Sequence, residues 1–195
     1  MPSTLFSVPN LLTLFRIFII PIFVLLFYLP FQWSRTAAAT LFAFAALTDW
    51  LDGYLARKLK AFSALGEFLD PVADKLLVAV ALVLLTQANP QAYLAIPAAV
   101  IICREIVVSA LREWMAELGR RAHVAVSAWG KWKTALQLIA ITMLLALDPK
   151  SSPLTLRMLG YVFLYIAVFL TLWSMTLYLR AAWQDLQNWQ DTRPL

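Results

Sequence analysis

Cysteine and histidine are nearly absent from this chain of 195 residues, which has one of each, Cys103 and His123. A single cysteine excludes an internal disulfide framework and a cysteine-rich zinc site. A single histidine makes histidine-based metal centres and serine–histidine catalysis poor candidates. Only 14% of the residues are charged, whereas a soluble domain carries about 25%. A membrane protein whose chemistry does not depend on histidine is therefore the first expectation.

Long apolar runs make up most of the sequence, since 62% of its residues are hydrophobic. A membrane-spanning helix needs about 20 mostly apolar residues. The predicted spans are Pro9–Leu29, Ala37–Arg57, Gly66–Gln87, Tyr93–Leu118, Val126–Leu147 and Leu156–Leu179. The connections are short, and no separate soluble domain fits between the spans. We therefore predict an all-α, polytopic membrane protein with six transmembrane helices, forming a single domain over residues 1–195.

The basic residues predict how the helices are oriented in the membrane. One set of connections and ends is rich in them and contains Arg57, Lys58, Lys60, Arg120, Arg121, Lys131, Lys133 and Arg180. The opposite set contains Arg35, Lys150 and Arg157. The richer set is expected to be cytoplasmic, which places both termini inside. The net charge of +5 also suits anionic lipid head groups and substrates that carry phosphate.

Four aspartates follow one another in the segment TDWLDGYLARKLKAFSALGEFLDPVADK, which starts at Thr48. Asp49 and Asp52 are three positions apart, and Asp70 and Asp74 are four apart, so each pair lies on one face of its helix. A carboxylate at bilayer depth costs roughly 2.5–3.5 kcal/mol on insertion scales, and such acids usually have a function. Because a short basic loop joins the two helices, we expect antiparallel neighbours whose acidic faces meet.

A cluster of four carboxylates calls for cations, because the charges repel one another unless something neutralises them. Two divalent ions do so in formal charge, and ligands that are all oxygen favour Mg²⁺ or Mn²⁺ over Zn²⁺. Two metal ions held by carboxylates commonly serve phosphoryl transfer. Arg57 in the same segment can pair with a phosphate. Gly53, Ala56 and Gly66 either leave room for a substrate beside the helix backbone or allow close helix packing.

The complete pattern, Asp-x2-Asp-Gly-x2-Ala-Arg-x8-Gly-x3-Asp-x3-Asp, resembles the signature of the CDP-alcohol phosphatidyltransferases. The resemblance implies a six-helix enzyme of the bacterial inner membrane that forms a homodimer, with a two-metal site facing the cytoplasm. It implies that Asp74 is the general base, and that the metal ligands are Asp49, Asp52, Asp70 and Asp74. The expected contacts with the donor, CDP-diacylglycerol, come from Asp49, Asp52, Gly53, Ala56, Arg57, Ser63 and Gly66.

The acceptor alcohol varies within that family, so the polar residues outside the signature must indicate it. The fourth predicted span carries Arg104, Glu105 and Arg112 on one face, and Lys75 and Lys131 lie near the cytoplasmic boundary. The donor pyrophosphate already has the metal ions, so a separate basic pocket suits an acceptor with its own phosphate. In the alternative interpretation, Glu105 neutralises one arginine and the other basic side chains extend to the membrane interface.

The segments PNLLTLFRI, REIVVSALREWMAELG and VSAWGKWKTA are similar to the bacterial branch of the family that uses sn-glycerol 3-phosphate. The similarity implies that Arg104, Arg112 and Lys131 bind the acceptor phosphate, with Lys75 and Glu105 beside them. The partners we predict are membrane-embedded CDP-diacylglycerol, soluble glycerol 3-phosphate and a second copy of the chain, with no nucleic acid.

Two alternatives to this function stay open from the sequence. The first is the same transfer to another acceptor, such as inositol phosphate, serine or phosphatidylglycerol. The second is a divalent-cation transporter, because acids within membrane helices also mark ion pathways. Clustering of the acids toward one side, next to Arg57, Lys58 and Lys60, counts against transport. Arg16, inside the first span, is consistent with either a functional contact or an ion pair to a neighbouring helix.

Overall fold

The computed structural model describes residues 8–59, 64–117, 128–149 and 151–191, with side chains over most of these ranges. These residues form helices and no strand, which confirms the predicted all-α class. The helices are α1 (Val8–Tyr28), α2 (Ser34–Leu59), α3 (Ala64–Ala88), α4 (Ala92–Glu117), α5 (Ala128–Ala146) and α6 (Leu154–Asp191). The sixth span was predicted to end at Leu179, and the apolar stretch of α6 ends at Arg180, although the helix itself continues to Asp191. The prediction followed hydropathy, and the last turns of α6 are helical but polar.

Proline marks each of the three turns that the structure describes between consecutive helices. Pro30 follows α1, Pro90 follows α3, and Pro149 and Pro153 lie between α5 and α6. Proline lacks a backbone N–H and disfavours the helical conformation in the residue before it, so it ends a helix at a defined place. These short turns make α1 and α2, α3 and α4, and α5 and α6 antiparallel neighbours, and each pair is in contact.

The bundle has two distinct ends as a result of this alternation. We call the end at which α2 ends and α3 begins the aspartate end, because it holds the signature from Asp49 to Asp74. At the opposite end α2, α4 and α6 begin. α2 and α3 contact each other and both pack on α1, so the two helices of the signature are neighbours, as the sequence predicted.

The core lies where α1, α2, α3 and α5 meet. Phe23 and Phe42 are fully buried there, with ring centroids 6.0 Å apart, and Leu82 and Ile141 are buried beside them. α6 joins this core at a close approach to α5. A Cβ added to Gly160 would lie 2.9 Å from Cδ2 of Leu144, so the missing side chain allows the two helices to pack tightly.

In the part of the chain that the structure describes, three helices are long and apolar enough to cross a membrane, over Pro71–Ala88, Ala92–Glu117 and Leu154–Arg180. Thr13–Tyr28 and Trp132–Ala146 are apolar but shorter. Many large hydrophobic side chains point outward along the bundle, which soluble proteins rarely show over such an area. The helices therefore indicate a membrane protein, and the full set of six spans stays a prediction.

Candidate functional site

Asp74, near the start of α3, is bonded to a buried arginine of α1. Arg16 Nη1 lies 2.7 Å from Asp74 Oδ1, and the arginine side chain is 0% exposed whereas that of the aspartate is 41% exposed. Desolvating a guanidinium costs several kcal/mol unless a carboxylate compensates it. The ion pair therefore allows Arg16 to be buried, and in return it fixes the orientation of the Asp74 carboxylate, which is partly exposed.

The other three aspartates lie on the same pair of helices. Asp49 and Asp52 are in the C-terminal half of α2, and Asp70 is one turn before Asp74 on α3. Their side chains lie outside the described residues, so the metal ligands stay a prediction. A carboxylate-only donor set on two neighbouring helices fits hard divalent cations, which prefer oxygen ligands.

The predicted donor contacts lie on the same stretch of chain. Gly53, Ala56 and Arg57 follow Asp52 on α2, and Gly66 is in the first turn of α3. The structure gives the backbone of these positions, and Ser63 lies outside the described residues altogether. Their contacts with CDP-diacylglycerol therefore stay predictions.

A second charged cluster joins α4, α5 and α6. Arg104 Nη1 donates to Glu105 Oε1 at 2.5 Å, and Lys133 Nζ lies 3.6 Å from the same oxygen. Arg104 Nη2 also lies 3.5 Å from Ser174 Oγ of α6. The lysine side chain is only 6% exposed. Because two cations share one carboxylate, this cluster keeps an excess of positive charge, which suits an anion.

Two further residues of the predicted acceptor pocket are Lys75 on α3 and Arg112 on α4. Lys75, which follows Asp74 on α3, donates from Nζ to Ser109 Oγ on α4. Glu105, Ser109 and Arg112 are at positions i, i+4 and i+7 of α4, so they share one face. Arg112 is exposed. The Lys75–Ser109 hydrogen bond thus joins the part of α3 next to Asp74, the predicted general base, to the face of α4 that carries Arg112.

The remaining member of the predicted acceptor pocket, Lys131, has a side chain outside the described residues. Lys133, two positions later on α5, was expected only to help orient the helices, yet its ammonium group lies 3.6 Å from Glu105 Oε1. A signal for it was present, because Lys133 and Gln137 form a polar i, i+4 pair in an apolar helix. Both residues are buried, which marks that face of α5 as inward.

Comparison with known proteins gives one consistent result. The sequence pattern described as CDP-alcohol phosphatidyltransferase matches residues 6–173. A protein of Pseudomonas fluorescens named CDP-diacylglycerol–glycerol-3-phosphate 3-phosphatidyltransferase is 60% identical over 183 residues, which cover 93% of both chains. Proteins of the same name from Pectobacterium atrosepticum and Escherichia coli K12 are 52% identical over 181 residues, which cover 93% of this chain and 97% of theirs.

Proposed function

The chain belongs to the CDP-alcohol phosphatidyltransferase family, and from this premise we propose that it transfers the phosphatidyl group of CDP-diacylglycerol to sn-glycerol 3-phosphate. The products are phosphatidylglycerol phosphate and CMP. The observation that carries the choice of acceptor is the identity of 52–60% to proteins named for that reaction, over 93% of the chain. The basic cluster on α4 and α5 supports the same choice, because glycerol 3-phosphate brings a second phosphate.

The proposed setting is the bacterial inner membrane, crossed six times, with both termini and the aspartate end on the cytoplasmic side. The distribution of lysine and arginine supports this orientation. CDP-diacylglycerol then keeps its acyl chains in the lipid while its nucleotide lies between α2 and α3. The enzyme acts as a homodimer in this proposal.

Asp49, Asp52, Asp70 and Asp74 would hold two divalent ions, Mg²⁺ or Mn²⁺, and members of the family generally depend on divalent metals. When bound, such ions supply positive charge to the donor pyrophosphate. Arg57 adds a guanidinium that can pair with the same group.

Asp74 serves as the general base in the proposed reaction. It accepts the proton of the primary hydroxyl of glycerol 3-phosphate. The hydroxyl oxygen forms a bond to the phosphorus next to the diacylglycerol, and the bond from that phosphorus to CMP breaks. Arg16 holds Oδ1 of Asp74 at 2.7 Å, which fixes the orientation of the carboxylate for proton transfer from the acceptor. No covalent intermediate is required.

The acceptor phosphate is bound by Arg104, Arg112 and Lys131, with Lys75 and Glu105 beside them. Glu105 orients Arg104 through the hydrogen bond at 2.5 Å. Lys75 is held against α4 by its bond to Ser109, which keeps the acceptor pocket next to Asp74. Exposure of Arg112 leaves its guanidinium available to a soluble substrate.

The proposed reaction is tested by CMP release from CDP-diacylglycerol with purified protein in detergent micelles. We expect release that requires both glycerol 3-phosphate and Mg²⁺ or Mn²⁺, stops with a chelator, and returns when the metal is restored. Release with inositol phosphate, serine or phosphatidylglycerol in place of glycerol 3-phosphate would reassign the acceptor. Metal uptake into proteoliposomes without CMP release would favour transport instead.

Arg112→Ala is expected to raise the KM for glycerol 3-phosphate by about tenfold or more, since it removes a charge-assisted hydrogen bond. The KM for CDP-diacylglycerol should stay near the wild-type value. Glu113→Ala is the matched control, because this neighbouring residue is also exposed on α4 and lies off the basic face. An acceptor KM that Arg112→Ala leaves unchanged rules this residue out of the phosphate pocket.

A further inference from the structure

The end of the bundle opposite the aspartates contains a small cavity with two arginines in its wall. Arg35 is near the start of α2, and Arg157 is near the start of α6. Ala88 and Asn89 at the end of α3, and Leu144 of α5, complete much of the lining. Neither arginine belongs to the proposed catalytic machinery. A ligand in this cavity would therefore be separate from the substrates of the proposed reaction.

Each of the two guanidiniums has a buried nitrogen that meets no acceptor among the described residues. Arg35 lies over the ring of Phe27, 5.3 Å from its centroid, and Arg157 Nη1 donates to the carbonyl of Pro149. Arg35 Nη1 and Arg157 Nε are buried and meet no acceptor among the described residues. A buried donor without an acceptor costs about 1–3 kcal/mol, and more on a charged group. The cavity therefore suits a ligand that brings acceptor atoms.

The charge around the cavity favours an anion. Among the described residues, those that line it include no acid. Asp148, the acid that the structure describes at this end, accepts a hydrogen bond from Ser151 Oγ at 3.1 Å, and its backbone N–H donates to Ser152 Oγ. α2 and α6 also begin here, and the N-terminal end of a helix carries partial positive charge.

The size and depth of the cavity indicate which anion it takes. Its inner space of about 10 Å³ holds roughly one water-sized atom group, so a single oxygen enters while the rest of the anion stays at the mouth. Tyr28, Phe31 and Trp33 are exposed at the same end, and the last two rings stack at 5.6 Å. Exposed aromatic side chains of this kind mark the head-group layer. At that depth the abundant anion is the phosphate of a phospholipid.

We propose that Arg35 and Arg157 together bind the phosphate group of a membrane phospholipid, with one phosphate oxygen inserted between the two guanidiniums. The lipid supplies the acceptor that the described residues do not offer there and connects the start of α2 to the start of α6. Its acyl chains run along the apolar outer surface of the bundle. This lipid is distinct from the CDP-diacylglycerol of the proposed reaction, which binds at the aspartate end.

The test is the thermal stability of the detergent-purified protein, in chelator, titrated with dioctanoylphosphatidylglycerol. We expect saturable stabilisation of the wild type, and at least about tenfold weaker apparent binding in the double variant Arg35→Gln, Arg157→Gln, which removes both charged donors. Arg180→Gln is the matched control, because this exposed arginine lies near the aspartate end of α6. Dioctanoylglycerol, which lacks phosphate, should not stabilise the protein.

Two further measurements separate the possible outcomes. Ala88→Leu fills the cavity and keeps both arginines, so it should abolish the lipid effect as well, while CMP release stays near the wild-type rate. This variant decides the matter if the double variant does not fold. Equal stabilisation of wild type and Ala88→Leu by the phospholipid overturns the proposal. So does an equally large arginine-dependent stabilisation by inorganic phosphate, since the site would then bind free phosphate rather than lipid.

Discussion

Asp74→Asn is expected to lower the rate of CMP release by about 10³-fold, within the range that general bases contribute. Asparagine has nearly the same shape as aspartate, but its amide does not take up a proton at neutral pH. Its amide oxygen can still accept the hydrogen bond that Arg16 Nη1 now donates at 2.7 Å. The variant should therefore keep its local structure and lose the chemical step. The measurement is CMP release at saturating concentrations of both substrates.

The affinity for CDP-diacylglycerol distinguishes a general base from a residue that only binds the donor. Because Asp74 is also a predicted metal ligand, Asp74→Asn should weaken CDP-diacylglycerol binding, but by a much smaller factor than it lowers turnover, measured by equilibrium binding on the purified protein at saturating Mg²⁺. Asp148→Asn is the control, because this partly buried aspartate is at the opposite end of the bundle and should leave activity unchanged. If binding and turnover of Asp74→Asn fell by the same factor, the base role would be lost and a donor-binding role would replace it.

The helices themselves could be predicted from the sequence because two local signals mark them. Runs of about 20 apolar residues mark where the helices lie, although α6 continues past its apolar run. Pro30, Pro90 and Pro149 follow three helix ends, whereas Pro21, Pro71 and Pro97 lie inside helices. The adjacency of α2 and α3 followed from the short link between them. Each of these signals lies within one helix or one turn, so no knowledge of long-range packing was needed.

The contacts between helices could not be predicted in the same way, because lipid-facing and core-facing residues are equally apolar in a membrane protein. Phe18 and Phe23 illustrate this on α1, since the first is 70% exposed and the second is 0% exposed. Hydropathy alone does not distinguish them. Only the structure therefore shows which face of each helix points inward. It also shows that the partner of Arg16 is Asp74.

For the same reason, the sequence could not predict which charged side chains on different helices lie close together. Lys133 and Glu105 are on α5 and α4, and Arg35 and Arg157 are on α2 and α6. Such pairs depend on how closely helices approach, as at Gly160, where a side chain would collide with Leu144. The sequence showed that these charges are costly at membrane depth, but the fold determines which of them meet.

Arg16→Met is expected to reduce kcat by about 10²-fold, because Asp74 loses the group that fixes its orientation, and misplacement of a reacting group by about 1 Å can cost that much. Methionine has similar length and keeps the buried position apolar. Arg16→Lys, which retains the positive charge but not the planar guanidinium, should recover part of the loss. The measurement is kcat and both KM values for each variant, normalised to the folded fraction.

Thermal stability shows whether Arg16→Met loses activity because Asp74 is misplaced or because the bundle is packed less well. Removing one partner of a fully buried ion pair costs about 3–5 kcal/mol, but Asp74 is 41% exposed, so water can solvate it and the loss should be smaller. Phe23→Leu, in the core part of the same helix, is the control: it should lower the melting temperature without changing kcat of the folded protein. If Arg16→Met behaved like Phe23→Leu, the arginine would be a structural partner of Asp74 and no part of its alignment for proton transfer.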